Sequence, residues 1–125
     1  MKSRAKRILI IDDSNTNVIL LEAILGNHGY EISKSLSVKE AVPIIETALP
    51  DLILLDLLMP KVSGYEFLEK IRNNRRTKNI KVMVISALTE KESKDRTKKL
   101  GIVDYIEKPV NIKELVAKVN KTLSR

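Results

Sequence analysis

Leu52-Ile53-Leu54-Leu55-Asp56-Leu57-Leu58-Met59-Pro60 is the stretch whose reading decides the fold. An apolar run bounded by Pro50 and Pro60 reads as a strand, Leu52–Asp56, buried on both faces. It runs directly into an aspartate, a residue depleted in strands and costly to bury without a partner. Pro60 and Gly64 are expected to break the backbone just beyond it. The same construction appears earlier, where Ile8-Leu9-Ile10-Ile11 runs into Asp12-Asp13. In an open parallel sheet, ligands bind outside the carboxyl ends of the strands. Two such strands side by side deliver Asp12, Asp13 and Asp56 to one rim. Like charges about 4 Å apart repel by about 4 kcal/mol at an effective dielectric near 20. A cluster of this kind calls for a cation or for raised pKa values. The sequence has no cysteine and one histidine, so a zinc or soft-metal centre is poorly supported. Carboxylates with backbone carbonyls suit magnesium or manganese instead.

Outward from that stretch, the pattern alternates strand and helix. Strands are expected at Arg7–Ile11, Glu31–Ser35, Lys81–Ser86 and Asp104–Glu107. The first helix, capped by Ser14 or Asn15, runs through His28 with Val18, Leu21 and Leu25 inward and Ile24 beside them. Asn27-His28-Gly29 stops it, with His28 as a polar end residue. Ser37 caps a second helix whose apolar positions are Val38, Ala41, Val42, Ile45 and Ala48. Pro43 within it is expected to kink or divide it. The third helix covers Ser63–Asn73, with Phe67, Leu68 and Ile71 inward, and 74–81 forms an exposed basic loop. Thr89 and Glu92 match a capping box that opens a fourth helix, Glu90–Leu100. Its inward face has only Ser93, Thr97 and Leu100, so it is expected to be among the least stable parts of the fold. Gly101 ends it. Asn111 and Glu114 cap a fifth helix, with Val110 and Leu115 as a hydrophobic staple. Ile112, Leu115, Val116, Val119 and Leu123 are expected to form the buried stripe of that helix. Five strands alternating with five helices define an α/β domain, a parallel sheet covered on both faces with right-handed crossovers.

Composition narrows the function classes. The 125 residues are enough for one domain with a real core, spanning 1–125. No apolar run approaches the roughly 20 residues of a membrane span. The basic start, Lys2 to Arg7, precedes only four apolar residues and does not read as a signal peptide. The lack of cysteine fits a reducing cytoplasm. The 23 Lys and Arg against 16 Asp and Glu give a net charge of +7. That charge is spread over Arg72–Lys81, Lys91–Lys99 and the last helix. Tyr30, Tyr65, Phe67 and Tyr105 are the only aromatics and form no stacking platform. A solvated basic surface is therefore favoured over direct nucleic-acid binding.

The strand ends, taken together, are Asp12-Asp13, Asp56, Ser86-Ala87 and Lys108-Pro109. Acids for a divalent ion, a central carboxylate, a hydroxyl and a lysine are the parts that stabilise a phosphoryl group transferred to Asp56. Here the chain resembles the receiver domain of two-component response regulators, of the kind represented by the chemotaxis regulator. The resemblance covers essentially the whole chain. It rests on Ile11-Asp12-Asp13, Leu55-Asp56-Leu57-Leu58-Met59-Pro60 with Gly64, Ser86-Ala87 and Asp104-Tyr105-Ile106-Glu107-Lys108-Pro109.

It implies a flavodoxin-like doubly wound sheet of order 2-1-3-4-5, with Asp56 as phosphoacceptor. It also implies Asp13 as a direct magnesium ligand, Asp12 as one acting mainly through water, and the Leu58 carbonyl as a further ligand. Ser86 is then the switch hydroxyl, Tyr105 the switch aromatic and Lys108 the phosphate-pairing ammonium, with a cis Lys108–Pro109 bond. The implied partners are a histidine kinase or phosphotransfer protein and a downstream protein. The implied output face comprises the fourth helix, fifth strand and fifth helix.

Leu100, Ile102 and Val103 stand where the family often has small residues, and the fourth helix has less alanine and leucine than usual. Asn17 resembles receivers attached to hybrid histidine kinases, so a stand-alone regulator and an excised module both fit. A haloacid-dehalogenase-type phosphohydrolase needs an acid two residues after its nucleophile, where this chain has Leu58. A nucleotide-binding flavodoxin-like protein needs a glycine-rich loop where Asp12-Asp13-Ser14-Asn15 stands. A degenerate receiver used only as a surface conflicts with the intact acids, hydroxyl and lysine.

Overall fold

The computed structural model describes residues 5–58 and 63–124. Met59 and Pro60 of the central motif lie outside the described residues. Five strands, β1 (Arg7–Ile11), β2 (Glu31–Ser35), β3 (Leu52–Leu55), β4 (Lys81–Ser86) and β5 (Asp104–Glu107), alternate with five helices. The helices are α1 (Asn15–Gly26), α2 (Val38–Thr47), α3 (Gly64–Arg72), α4 (Lys91–Lys99) and α5 (Ile112–Leu123). All strand pairs are parallel, in the order β2-β1-β3-β4-β5.

Alternate residues of the central strands feed two cores. Ile8, Ile10, Leu52, Leu54, Met83 and Ile85 pack on one face with α1 and α5. Leu9, Ile11, Ile53, Leu55, Val82 and Val84 pack on the other with α2 and α3. Every residue of β3 is buried, as a central strand covered on both faces requires. The edge strand β2 buries only Ser35 fully.

Local chemistry sets the helix starts. The hydroxyls of Ser14, Ser37 and Ser63 and the side-chain oxygen of Asn111 each accept a backbone N–H three residues on, from Asn17, Glu40, Glu66 and Glu114. The Thr89–Glu92 box does not form. Glu90 is the N-cap of α4 and makes no side-chain capping bond.

Other expectations are also corrected. α1 ends at Gly26 rather than His28. His28 sits just beyond, its Nδ1 3.0 Å from the Ile24 carbonyl, and Gly29 takes the left-handed φ of 85°. Pro43 does not divide α2. Both Pro43 and Lys39, whose carbonyl loses its partner, face solvent, where water substitutes for the missing bond. Ile112 in α5 and Val42 in α2 are exposed, because each lies at the edge of its helix's apolar arc. Gly64 is not a break but the first residue of α3, buried against the Asp56–Leu57 backbone just past β3.

Candidate phosphoacceptor and metal site

Pairing carries one residue past the strand ends and so assembles the rim. The Asp56 N–H donates to the Ile11 carbonyl at 3.0 Å, Asp12 N–H to Ser35 at 3.2 Å and Lys108 N–H to Ser86 at 2.9 Å. β3 thus ends at Leu55, one residue earlier than its sequence pattern indicates, yet Asp56 stays registered against β1. Asp12, Asp13 and Asp56 converge, each offering a carboxylate oxygen within 4.8 Å of the others. Asp12 and Asp56 are 3% and 5% exposed, while Asp13 is open to solvent.

Lys108 spans the two buried acids. Its Nζ lies 3.1 Å from Asp12 Oδ2 and 3.2 Å from Asp56 Oδ2. The remaining oxygens are also engaged. Asp12 Oδ1 accepts the Ser14 N–H at 2.9 Å, and Asp56 Oδ1 accepts the Leu58 N–H at 3.0 Å. That bond brings the Leu58 backbone to the cluster. The peptide bond from Lys108 to Pro109 is cis.

Burial pushes the Asp56 carboxyl above its ordinary value; the Leu58 N–H and the Lys108 ammonium oppose this, and the Asp12 carboxylate adds to it. Burial pulls Lys108 down, but Asp12 and Asp56 outweigh it and the ammonium sits above its ordinary value. Burial dominates at Asp56, and the two acids it touches dominate at Lys108; with Asp13, three carboxyl groups stand around one ammonium, an excess of acids over bases.

That excess is the fit test for a divalent ion. Oxygens bound to magnesium at 2.0–2.1 Å stand about 3 to 4.2 Å apart. The three carboxylate oxygens, within 4.8 Å of one another, would draw together around such an ion. Hard oxygen donors with uncompensated charge suit that ion.

Ser86 and Tyr105 stand at the β4–β5 side of the rim. Ser86 is fully buried, and its Oγ accepts the Leu88 N–H at 3.1 Å. The Tyr105 hydroxyl donates to the Leu88 carbonyl at 2.7 Å, which ties the fifth strand to the loop after Ser86. Burial raises the Tyr105 phenol above its ordinary value.

Gly64 is a contribution the sequence reading missed. A Cβ there would stand 2.7 Å from Leu57 Cα and 2.8 Å from the Asp56 carbonyl oxygen, so only glycine lets α3 start against the strand end. The signal was present, a glycine at the head of an amphipathic run eight residues past the aspartate. The contact it permits was not.

Known proteins share this fold. The model of the response regulator receiver domain matches residues 8–120. Protein PilH of Pseudomonas aeruginosa is 30% identical over 94% of this chain and 98% of its own length. A "Probable cyclic di-GMP phosphodiesterase" of Vibrio cholerae is 37% identical over 93% of this chain, but the match spans only 26% of that protein. A two-component response regulator from Clostridium difficile superposes with a TM-score of 0.89 at 30% identity, covering 96% of this chain and 97% of its own. No helix among the described residues is long and apolar enough to cross a membrane. The chain belongs to the response regulator receiver domain family of two-component signalling.

Proposed function

We propose that Asp56 accepts a phosphoryl group from the phosphohistidine of a histidine kinase or phosphotransfer protein. The observation that carries this is Asp56 itself. It is a nearly inaccessible strand-end carboxylate flanked by two further acids and touched by one lysine. An Asp56 oxygen attacks phosphorus, the O–P bond forms, and the N–P bond breaks with its electron pair returning to the donor imidazole. Lys108 neutralises charge on the phosphoryl oxygens, and Ser86 donates to one of them once its loop moves inward. Asp13, the Leu58 carbonyl and Asp56 would hold magnesium, with manganese as a substitute and Asp12 acting through water. The ion supplies positive charge to the phosphoryl oxygens when bound.

The product is an acyl phosphate that serves as a signal and hydrolyses slowly, so the protein is a phosphoacceptor rather than a turnover enzyme. Signal passes to the face formed by α4, β5 and α5 and from there to a downstream protein. The receiver spans 1–125, works in the cytoplasm, and operates alone or as a module of a larger regulator.

Incubation with a phosphorylated histidine kinase, or with acetyl phosphate, tests the reading. One phosphoryl group should appear on the peptide bearing Asp56, only with a divalent ion. Asp56→Asn should abolish it, and Asp13→Asn should raise the magnesium requirement at least tenfold. Label that persists in Asp56→Asn would place the acceptor elsewhere.

A further inference from the structure

α3 holds α4 at both ends. Near its start, the Tyr65 hydroxyl donates to Ser93 Oγ at 2.6 Å. The Arg96 guanidinium lies over the same ring, 4.1 Å from its centroid. Near its end, Arg72 donates to the carbonyls of Leu100 at 2.6 Å and Gly101 at 3.3 Å. Tyr65 and Arg72 stand about two turns apart on one helix, so any shift of α3 is passed to both ends of α4.

The first turn of α3 in turn rests on the phosphoacceptor strand. Gly64 leaves no room for a methyl group between α3 and the Asp56–Leu57 backbone, and its N–H donates to the Leu57 carbonyl at 3.2 Å. Just beyond, the Leu58 N–H is committed to Asp56 Oδ1. An acyl phosphate turns one Asp56 oxygen into the bridging oxygen of a mixed anhydride, a poorer acceptor, and sets phosphoryl oxygens among the Leu58 and Lys108 donors. Hydrogen bonds at 56–58 must then redistribute against a helix in direct contact with them.

We propose that Tyr65 is a positioning residue that carries the state of Asp56 to α4 through α3. This route runs parallel to the one from Ser86 through Leu88 and Tyr105, whose ring lies 5.8 Å from Lys94 Nζ. The inference rests on the reading of Asp56 as phosphoacceptor. Two routes converging on one helix give a thermodynamic cycle, since each mutation removes one coupling and leaves the other.

The test is hydrogen exchange on the α4 amides, 91–100, with and without magnesium and beryllofluoride. The proteins are wild type, Ser86→Ala, Tyr65→Phe and the double variant. Fluorine NMR reads beryllofluoride occupancy independently in each. Tyr65→Phe keeps the ring beneath Arg96 and removes only the hydroxyl. It should reduce the beryllofluoride-induced change in α4 protection at least twofold, Ser86→Ala should leave a residual change, and the double variant should abolish it.

A residue that merely props up α4 shifts protection equally in both states and leaves the induced difference intact. That result, or a double variant indistinguishable from Ser86→Ala, would overturn the proposal. Wild type that fails to bind beryllofluoride would overturn the reading of Asp56 and this inference with it.

Discussion

Helix α1 has one charged residue, Glu22, in its twelve positions, whereas seven of the nine residues of α4 are charged. α1 inserts Val18, Leu21 and Leu25 into the core it shares with α5 and still leaves Ile19 and Leu20 half exposed. α4 buries only Thr97, whose hydroxyl turns back to the Ser93 and Lys94 carbonyls of its own helix. Both helices follow strands that contribute to the same rim, yet different forces hold them. Burial of apolar area fixes α1 and resists displacement at every point of its inner face. A few directed polar contacts fix α4, and contacts of that kind can be exchanged for others at small net cost. A helix held by apolar burial and a helix held by polar contacts are thus written in different alphabets.

Truncating each helix at its most buried residue should break this comparison or keep it. Leu25→Ala removes a fully buried side chain and should cost about 2–5 kcal/mol in a denaturant titration. Thr97→Ala, at an equally inaccessible position, loses little apolar volume and one intrahelical bond, about 1 kcal/mol. Equal losses would mean that α4 is anchored by burial after all.

Arg72 comes next in size. It donates to four carbonyls, those of Leu100, Gly101, Lys78 and Ile80. Burial lowers its pKa, without removing its charge in the neutral range. Arg72→Ala should cost about 1–3 kcal/mol. Protection should be lost first in α4 and the turn after it, with α1 following only at the global limit. Loss spread evenly over both helices would show that the clamp is general rather than local to α4.

What the sequence disclosed follows the same division. β1, β3 and β4 could be placed because apolar runs record burial in neighbouring residues, and these lead to Asp12, Asp56 and Ser86 at the rim. Ser14, Ser37, Ser63 and Asn111 were legible as caps because a cap bonds to its own helix. The contacts of Tyr65 with Ser93 and of Arg72 with Leu100 and Gly101 were not legible, since they span 28 or 29 residues and no local pattern records such a contact. α4 consequently read as poorly anchored, and Thr89–Glu92 read as a box that does not form. For the site, sequence placed Asp12, Asp13, Asp56, Ser86 and Lys108 at strand ends. It did not show that Lys108 bridges two acids, because a pairing across 96 and 52 residues depends on strand order.

The smallest effect is expected at the rim from which both helices are reached. Burial raises the Asp56 pKa in the folded protein, so between the unfolded and folded values the folded state binds more protons. Stability therefore falls as pH rises through that window, and above the folded value Asp56 costs the fold stability. Asp56→Asn should remove the cost. With a chelator present, the variant should be more stable than wild type at neutral pH, and the difference should shrink as pH falls toward the ordinary carboxylate range. Lys108 keeps Asp12 at 3.1 Å, and its raised pKa makes its own contribution fade only as pH climbs through the alkaline range, outside this window. Global stability governs exchange only for amides that open by unfolding the whole domain. The Asn variant should therefore slow exchange in the buried turns of α1 and leave α4, which opens locally, nearly unchanged. An equal slowing in both helices would mean that α4 opens only with the whole domain, and the contrast between the two helices would be lost.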